Sequence, residues 1–514
     1  MQLGHRRKVI VAEASRGYSL GMLKVLRKSG GFGWAILLLL HLASAPAQTT
    51  PAGDAPQPVQ RLDPAIQKIV GEISEERIAA TLRALEKFEA RNTLSDPTQT
   101  NRGIGVARQW IREQFQSFSP RLEVSFDTHQ IPKAGRIWKD IELRNVVAIL
   151  PGKQAQAKAR WILVSGHYDS LNLKDAAGLR EQPEKAAELF APGVSDDASG
   201  TACALECARV LSQYEFDATL VFVAFAGEEQ GLVGAHALAK RLKSQGQEIE
   251  AVLNNDIIGN DTAGNGRVDN HQVLVFSEDP DDSPSRQLAR FVRSIGTRYY
   301  PELTVDMIFR YDRFGRGGDH TAFNQEGFPG VRFTTAAENF ANQHSPTDTF
   351  ANASVSYAAK VIRLNAAAAA ALALAPRPPV TSRSATRAGA NNRNATAAPA
   401  TANEPAASPR SRPGLTRGDG YDAVLRWEQP DPEPDLAGFI VVVRATTAPD
   451  WEREIWVGNV REFTLKNTPI DQLVFGVKAV DTTGHESPVS AYVNAQPIAN
   501  PGTSPVAAGE AGGK

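Results

Sequence analysis

Cysteine is almost missing from this chain. Cys203 and Cys207 are the only two thiols in 514 residues. They stand four apart in a segment with helical periodicity, which reads as two small buried hydrophobes and not as a bridge or a metal site. Net charge is lacking too: 56 basic residues face 57 acidic ones. The basic footprint of a nucleic-acid-binding protein is therefore absent, and no nucleic-acid partner is expected. The apolar run near the N-terminus falls short of the roughly 20 residues that a spanning helix needs.

That short run has another reading. Its apolar core is Trp34–Leu42, inside Phe32–Ala45, and Lys24, Arg27 and Lys28 precede it. Small residues follow as Ala43-Ser44-Ala45 and Ala45-Pro46-Ala47. Charge, apolar core and small-x-small site together are an export signal. Residues 1–47 are expected to be removed, with Met22 as an alternative true start, leaving a periplasmic or secreted protein without stable membrane insertion. An uncleaved anchor is the competing reading. No cysteine follows the core, so lipid attachment at a processed cysteine is excluded.

The rest has the composition of a soluble globular protein, 42% apolar and 22% charged, and its length calls for two or more domains. From Leu62 to about Ser119 the apolar residues recur at helical spacing. Short apolar runs then alternate with helical windows. The runs are 145–150, 161–165, 219–226, 251–258, 272–276, 305–309 and 331–334. The windows are 201–214, 232–242, 285–295 and 354–374. Val221–Phe225 is apolar on both faces, as a central strand covered by helices must be. The pattern predicts an α/β domain over 62–375 with a mixed, mainly parallel sheet sandwiched by helices. Residues 376–414 set one acid, Glu404, against six arginines and hold little that could form a core, so a disordered linker is expected there. Residues 415–497 return to short alternating strands, an all-β sandwich, and 498–514 read as a disordered tail.

Donor residues gather at the predicted strand ends. Trp161–Asp169 carries His167 and Asp169 past a buried strand, Val221–Glu229 carries Glu228 and Glu229, and Val252–Ile258 carries Asp256. Open α/β sheets bind ligands outside the carboxyl ends of their strands. Each of these residues alone is an ordinary solvated group; the set points to a site.

The set sits in six motifs: Gly166–Ser170, Pro192–Gly200, Phe225–Gly234, Asn255–Gly259, Gly318–Phe323 and His344–Thr349. By these, in this order, residues 62–375 resemble the co-catalytic dizinc exopeptidases that include secreted bacterial leucyl aminopeptidases and glutamate carboxypeptidase. The resemblance implies roles. Asp196 would bridge two metals, His167 and Asp256 would complete one, and Glu229 and His344 the other. Glu228 would be the general base, and Asp169 would accept from the second ring nitrogen of His167. Asp319 and His320 fall outside the ligand set. With no cysteine at hand, imidazole and carboxylate donors suit two Zn²⁺, and also Mn²⁺ or Co²⁺. Three carboxylates and a hydroxide balance two dications. Glu229 cannot serve as base while it holds a metal, so two adjacent glutamates take two roles.

The chain departs from the family at Gln343, where many relatives carry an aromatic residue; the expected effect is on the pocket wall and not on metal binding. The charged stretch 174–188 is expected to form a rim, and Arg310–Arg316 either lines the pocket or is a solvated loop. The C-terminal domain resembles fibronectin type III in Trp427, Asp435–Ile440 and Val477–Ser487, with Leu473 where a tyrosine often stands, which implies a module binding a polymer or a surface. The activity implied is removal of N-terminal residues from peptide substrates. A carboxypeptidase, a glutaminyl cyclase-like enzyme and a non-catalytic binding protein are the alternatives.

Overall fold

Strand alternation and helix caps shape the first domain. The computed structural model describes residues 62–382 and 413–493. The expected signal peptide, the tail from 498 and most of the expected linker (383–412) lie outside those residues. Eight strands form one sheet: β1 (Glu123–Ile131), β2 (Ile141–Leu150), β3 (Arg160–His167), β4 (Thr219–Phe225), β5 (Glu248–Asn255), β6 (Gln272–Ser277), β7 (Thr304–Ile308) and β8 (Gly330–Thr335). Their order is β1-β2-β4-β3-β5-β8-β6-β7. The central run β4-β3-β5-β8 is parallel, and β1, β2 and β6 bring antiparallel pairings. All seven expected strands are present. The eighth, β1, is a half-exposed edge whose polar alternation gave no apolar run to read.

The helices are α1 (Pro64–Gly71), α2 (Glu75–Glu86), α3 (Gly103–Phe118), α4 (Leu173–Ala176), α5 (Pro183–Ala187), α6 (Ser199–Leu211), α7 (Val233–Ser244), α8 (Pro284–Tyr299), α9 (Asp319–Gln325) and α10 (Val355–Leu374). Asp63 and Ser74 cap α1 and α2 by accepting from backbone amides. Helix α10 has the length and composition of a membrane span, yet most of it is buried in the core. Its alanines, Ala366–Ala371, let it lie close to its neighbours. Both cysteines are buried on α6 and unbridged.

Register decides where the chemistry goes. In the parallel pairs His167 lies opposite Phe225, and Ser165 opposite Asn254. The carboxyl ends of β3, β4 and β5 are therefore level, and Asp169, Glu228–Glu229 and Asp256 leave the sheet at one edge.

Seven short strands follow: β9 (Gly414–Arg417), β10 (Ala423–Arg426), β11 (Leu436–Ala445), β12 (Arg453–Gly458), β13 (Glu462–Leu465), β14 (Leu473–Asp481) and β15 (Ser490–Ala491). They make a three-stranded and a four-stranded antiparallel sheet. The two share one core around buried Trp427, whose ring centre lies 5.5 Å from that of Phe439.

Residues 376–382 differ from the expected linker. Val380 exchanges two backbone hydrogen bonds with Glu428 (2.8 and 3.0 Å), and Arg377 bridges Glu248 to Asp431. Composition misses this because main-chain pairing needs no apolar side chain. The β-domain is also held to α8. Arg444, 1% exposed, donates to Asp282 at 2.6 Å, Arg290 reaches Pro449 O at 2.7 Å, and Trp451 Nε1 reaches Gln287 at 3.2 Å.

His485 closes the same seam, with Nδ1 2.9 Å from Asp481 and Nε2 3.0 Å from Asp63. Only the imidazolium can donate to both carboxylates. Burial alone would lower its pKa, but Asp481 and Asp63 hold it above the ordinary histidine value. A raised folded-state pKa contributes stability that is complete below the unfolded value and is lost as pH rises through the folded one. Calorimetric melting temperatures of the wild type should therefore fall more steeply than those of His485→Gln as pH rises above the ordinary histidine value of about 6.5. Parallel slopes would show that the contact carries no pH-dependent stability.

Candidate metal centre

Buried carboxylates build the scaffold of this edge. Asp197 accepts from the backbone amides of His167 (3.0 Å), Gly200 (2.8 Å) and Ile257 (3.3 Å), tying the ends of β3 and β5 to the start of α6. The fit leaves no room at Gly200, where a Cβ would stand 2.1 Å from Asn255 O and 2.3 Å from Asp197 Oδ2. The Asp196–Asp197 peptide is cis. Asp348 accepts from the amides of Ser195 and Asp196, both at 2.9 Å, and burial lifts its carboxyl to about 7. Buried Arg91 straps the turn from behind, donating to Tyr168 O (2.7 Å), Pro192 O (2.7 Å) and Gly193 O (2.8 Å). Asn255 and Asn365 exchange amide hydrogen bonds at 3.0 and 2.8 Å, fixing α10 behind Asp256.

On this scaffold the predicted donors converge in two groups, each with ligand atoms within 4.8 Å of one another: His167, Glu228 and Asp256, and Asp196, Glu229 and His344. Asp196 joins them. Its Oδ1 lies 3.3 Å from His167 Nε2 and its Oδ2 3.0 Å from His344 Nε2. Glu229 Oε2 is 3.2 Å from His344 Nε2, while Glu228 and Asp256 are each 4.0 Å from His167 Nε2.

These residues fit metal ions. His167 Nε2 and Glu229 Oε1 are buried and have no hydrogen-bond partner among the described residues. Such atoms are costly unless something coordinates them. The donor set, two imidazoles and four carboxylates without a thiolate, is that of a zinc site.

The electrostatics agree. Burial opposes charge on His167 and His344, yet the surrounding carboxylates raise both, His344 to about 11. Burial pushes the Glu228 carboxyl well above its ordinary range, with Asp256 and Glu229 adding to the rise and His167 opposing it. Against burial, His167 and His344 hold Asp196 well below its ordinary value. The cluster carries more negative charge than it can hold alone. Protons or dications must answer it, and a metal bound here would displace protons.

Every residue expected in the site reaches it, with two differences. His167 Nδ1 bonds the backbone carbonyl of Asp169 at 3.1 Å, and the Asp169 carboxylate stands back at 3.5 Å. That carboxylate instead accepts from Thr93 Oγ1 (3.0 Å) and from the amides of Glu228 and Glu229 (both 3.3 Å). Asp169 therefore holds the glutamate pair in place as much as it faces the histidine. Gln343, expected at the pocket wall, also contacts one of the donors: its Nε2 donates to Asp196 Oδ2 at 2.8 Å. Its side chain is long enough to reach past its own backbone, which a motif comparison does not show.

One further contributor, Arg332, carried no signal in the sequence. Buried Arg332 on β8 lies 3.0 Å from Asp256 and 3.2 Å from Asp312, so its charge is matched on both sides. Arg313 and Arg316 converge on Glu338 at 2.9 and 2.8 Å, so this loop is tied down and not simply solvated. His320 bonds Tyr311 O at 2.7 Å, away from both donor groups. Asp319 is fully buried, neither of its oxygens has a partner among the described residues, and burial lifts its carboxyl well above the usual range. The stretch 174–188 forms α4 and α5, and Leu173 N at its start donates to His344 O at 2.9 Å.

Comparison with known proteins follows the same line. Residues 145–369 match peptidase family M28. A probable zinc metalloprotease of Pyricularia oryzae is 33% identical over 482 residues, which span 87% of this chain and 88% of that protein. The chain belongs to peptidase family M28. This M28 peptidase is a zinc-dependent hydrolase. Among solved structures it is similar to the LapA aminopeptidase of Legionella pneumophila, at 22% identity and a TM-score of 0.46 over 61% of this chain and 78% of that one. It is similar also to the glutaminyl cyclase of Macrostomum lignano, at 18% identity and 0.47 over 62% and 97%.

The crowding at Gly200 can be tested without substrate. Gly200→Ala should lower unfolding free energy by about 3 kcal/mol or more, because the new methyl meets backbone that cannot yield. Gly71→Ala, where nothing lies within 4 Å, should stay within about 0.5 kcal/mol of the wild type. Urea unfolding compares them, and equal midpoints would mean that the edge is looser than its packing shows.

Proposed function

We propose that this M28 peptidase is an exported two-metal aminopeptidase. The observation that carries the proposal is Asp196, whose two carboxylate oxygens face two different imidazoles, with a further carboxylate beside each. His167 and Asp256 would hold one ion, Glu229 and His344 the other, and Asp196 both. Zinc ions so held would lower the pKa of a shared water and polarise the scissile carbonyl.

The chain's own groups do the remainder. The Glu228 side chain, 13% exposed, is more open than those of Asp196, Glu229 and Asp256 at 5%, 5% and 4%. It can accept the proton of the attacking water and pass it to the leaving amine. Asp169 fixes the backbone that aims it. Thr93 links Asp169 to Gly227 N (3.0 Å), so the acid pair is braced from two sides. A binding protein without catalysis would need none of this positioning of Glu228.

Specificity for the amino end rests on the motifs shared with the leucyl aminopeptidases, and export on residues 1–47. The seven-stranded β-domain is read as a type III-like module for a polymer or a surface. One observation favours trimming at the carboxyl end instead. The Arg316 guanidinium, 2.8 Å from Glu338, is near enough to Asp256 and Asp196 to feel their charge, and such a fork suits a substrate carboxylate.

The mature chain from Gln48 should be incubated with peptides whose amino end is free or acetylated and whose carboxyl end is free or amidated. Mass spectrometry then follows which end shortens. Shortening from free amino ends only, abolished by chelator, is the expected outcome; trimming from free carboxyl ends would replace it with the second reading. Glu228→Gln should lower kcat by about 10³-fold while zinc content stays at two per chain. Near-normal turnover by that variant would assign the base elsewhere.

A further inference from the structure

Gln343 stands where many members of the resembling family carry an aromatic residue, and its amide is 2.8 Å from Asp196 Oδ2. We propose that Gln343 is a positioning residue that locks the Asp196 carboxylate across the two donor groups and thereby sets the affinity of the centre for its metals. The inference rests on the two-metal reading and extends it to a residue that holds no metal itself.

The need for a lock follows from the torsion. A carboxylate turns about its Cβ–Cγ bond in a broad, shallow well. Asp196 serves both imidazoles only in the orientation that aims Oδ1 at His167 and Oδ2 at His344. Its backbone is already fixed, because Asp348 accepts from its amide at 2.9 Å. That bond does not restrain the side-chain torsion. The Gln343 amide does: it takes one lone pair of Oδ2 and leaves the others directed at the donor groups.

Gln343 also brings no charge. Arg332, against Asp256, places a full cation beside a donor oxygen and needs Asp312 to offset it. The neutral amide stabilises the Asp196 anion without repelling a dication. Sequence adjacency tightens the arrangement, since the residue that pins Asp196 directly precedes the histidine that shares Oδ2.

A role in shaping the substrate pocket fits less well. The cavity that Gln343 lines with Asp196, Glu338, Asn339 and Asn342 measures about 10 Å³. That is room for about one water and not for a side chain of a substrate.

Gln343→Met keeps the length and removes the donor, and Gln343→Asn keeps the amide but falls one carbon short. Stepwise Zn²⁺ binding to the full mature chain, stripped of metal, can be followed in competition with a chromophoric chelator. Two ions should bind the wild type, and both variants should lose about tenfold or more in affinity at one or both steps. Their melting temperatures without metal should match the wild type, since Gln343 is partly exposed. Affinities in both variants within about twofold of the wild type, alongside a changed KM, would overturn the inference and return Gln343 to the pocket wall. A wild type that takes up fewer than two ions would overturn the two-metal reading itself, and this inference with it.

Discussion

The centre depends on one buried carboxylate that touches neither substrate nor donor atoms. Asp197 gathers amides from the end of β3, the start of α6 and the residue after Asp256, and also accepts from Ser199 Oγ at 3.2 Å. Three elements far apart in sequence are fixed to one point. Without it, level strand ends would place donors at the same edge but not within 4.8 Å of each other. Burial lifts its carboxyl well above the usual range, and the four donors around it offset part of the cost of keeping such a group inside. Gly166 and Gly200 belong to the same solution. A Cβ on Gly166 would meet Gly200 C at 2.2 Å, so helix and strand approach closely enough for one carboxylate to span them.

Around this hub the fold accepts a local conflict between stability and chemistry. Asp169, Asp196, Glu229, Asp256, Asp312, Asp319 and Asp348 are all buried at or near one edge. Such crowding is destabilising unless each charge is answered. The structure answers in kind: backbone amides for Asp197 and Asp348, a guanidinium for Asp256 and Asp312, burial-driven protonation for Asp319, and imidazoles for Asp196 and Glu229. Among the described residues His167 Nε2 and Glu229 Oε1 remain without partners, as do both oxygens of Asp319, and the first two lie where a metal would be held. A cluster arranged for stability alone would have closed on itself.

Much of this was legible in the sequence because strand ends and motifs are local. Asp169, Glu228, Glu229 and Asp256 each follow a readable apolar run, and residue spacing alone brings them to the edge. His344 and Asp196 were readable only through the family motifs, since both lie in loops with no periodic signal. Contacts made by long side chains across the fold were not legible. Arg91, Arg332 and Gln343 act at sequence separations of 77, 76 and 147 residues. No pattern in a window of the chain reports such reach. The edge strand β1 and the pairing of Val380 with Glu428 were missed for a related reason: main-chain hydrogen bonds leave little trace in composition.

The seam with the β-domain shows how far the peptidase fold extends its support. Helix α8 takes Pro449 and Trp451 through Arg290 and Gln287, and the turn before it takes Arg444 through Asp282. Ser285 Oγ of α8 donates to Gly330 O at 2.6 Å, at the start of the strand that carries Arg332 to Asp256. A path of contacts is not a signal; coupling requires an element with two discrete arrangements. What this path supplies is stiffness. Arg444 is buried and pairs with Asp281 and Asp282, two carboxylates that Arg290 of α8 also reaches. The β-domain is therefore less an appendage on a tether than a wall against which α8 and β8 are held. Its inner face belongs to the stability of the peptidase.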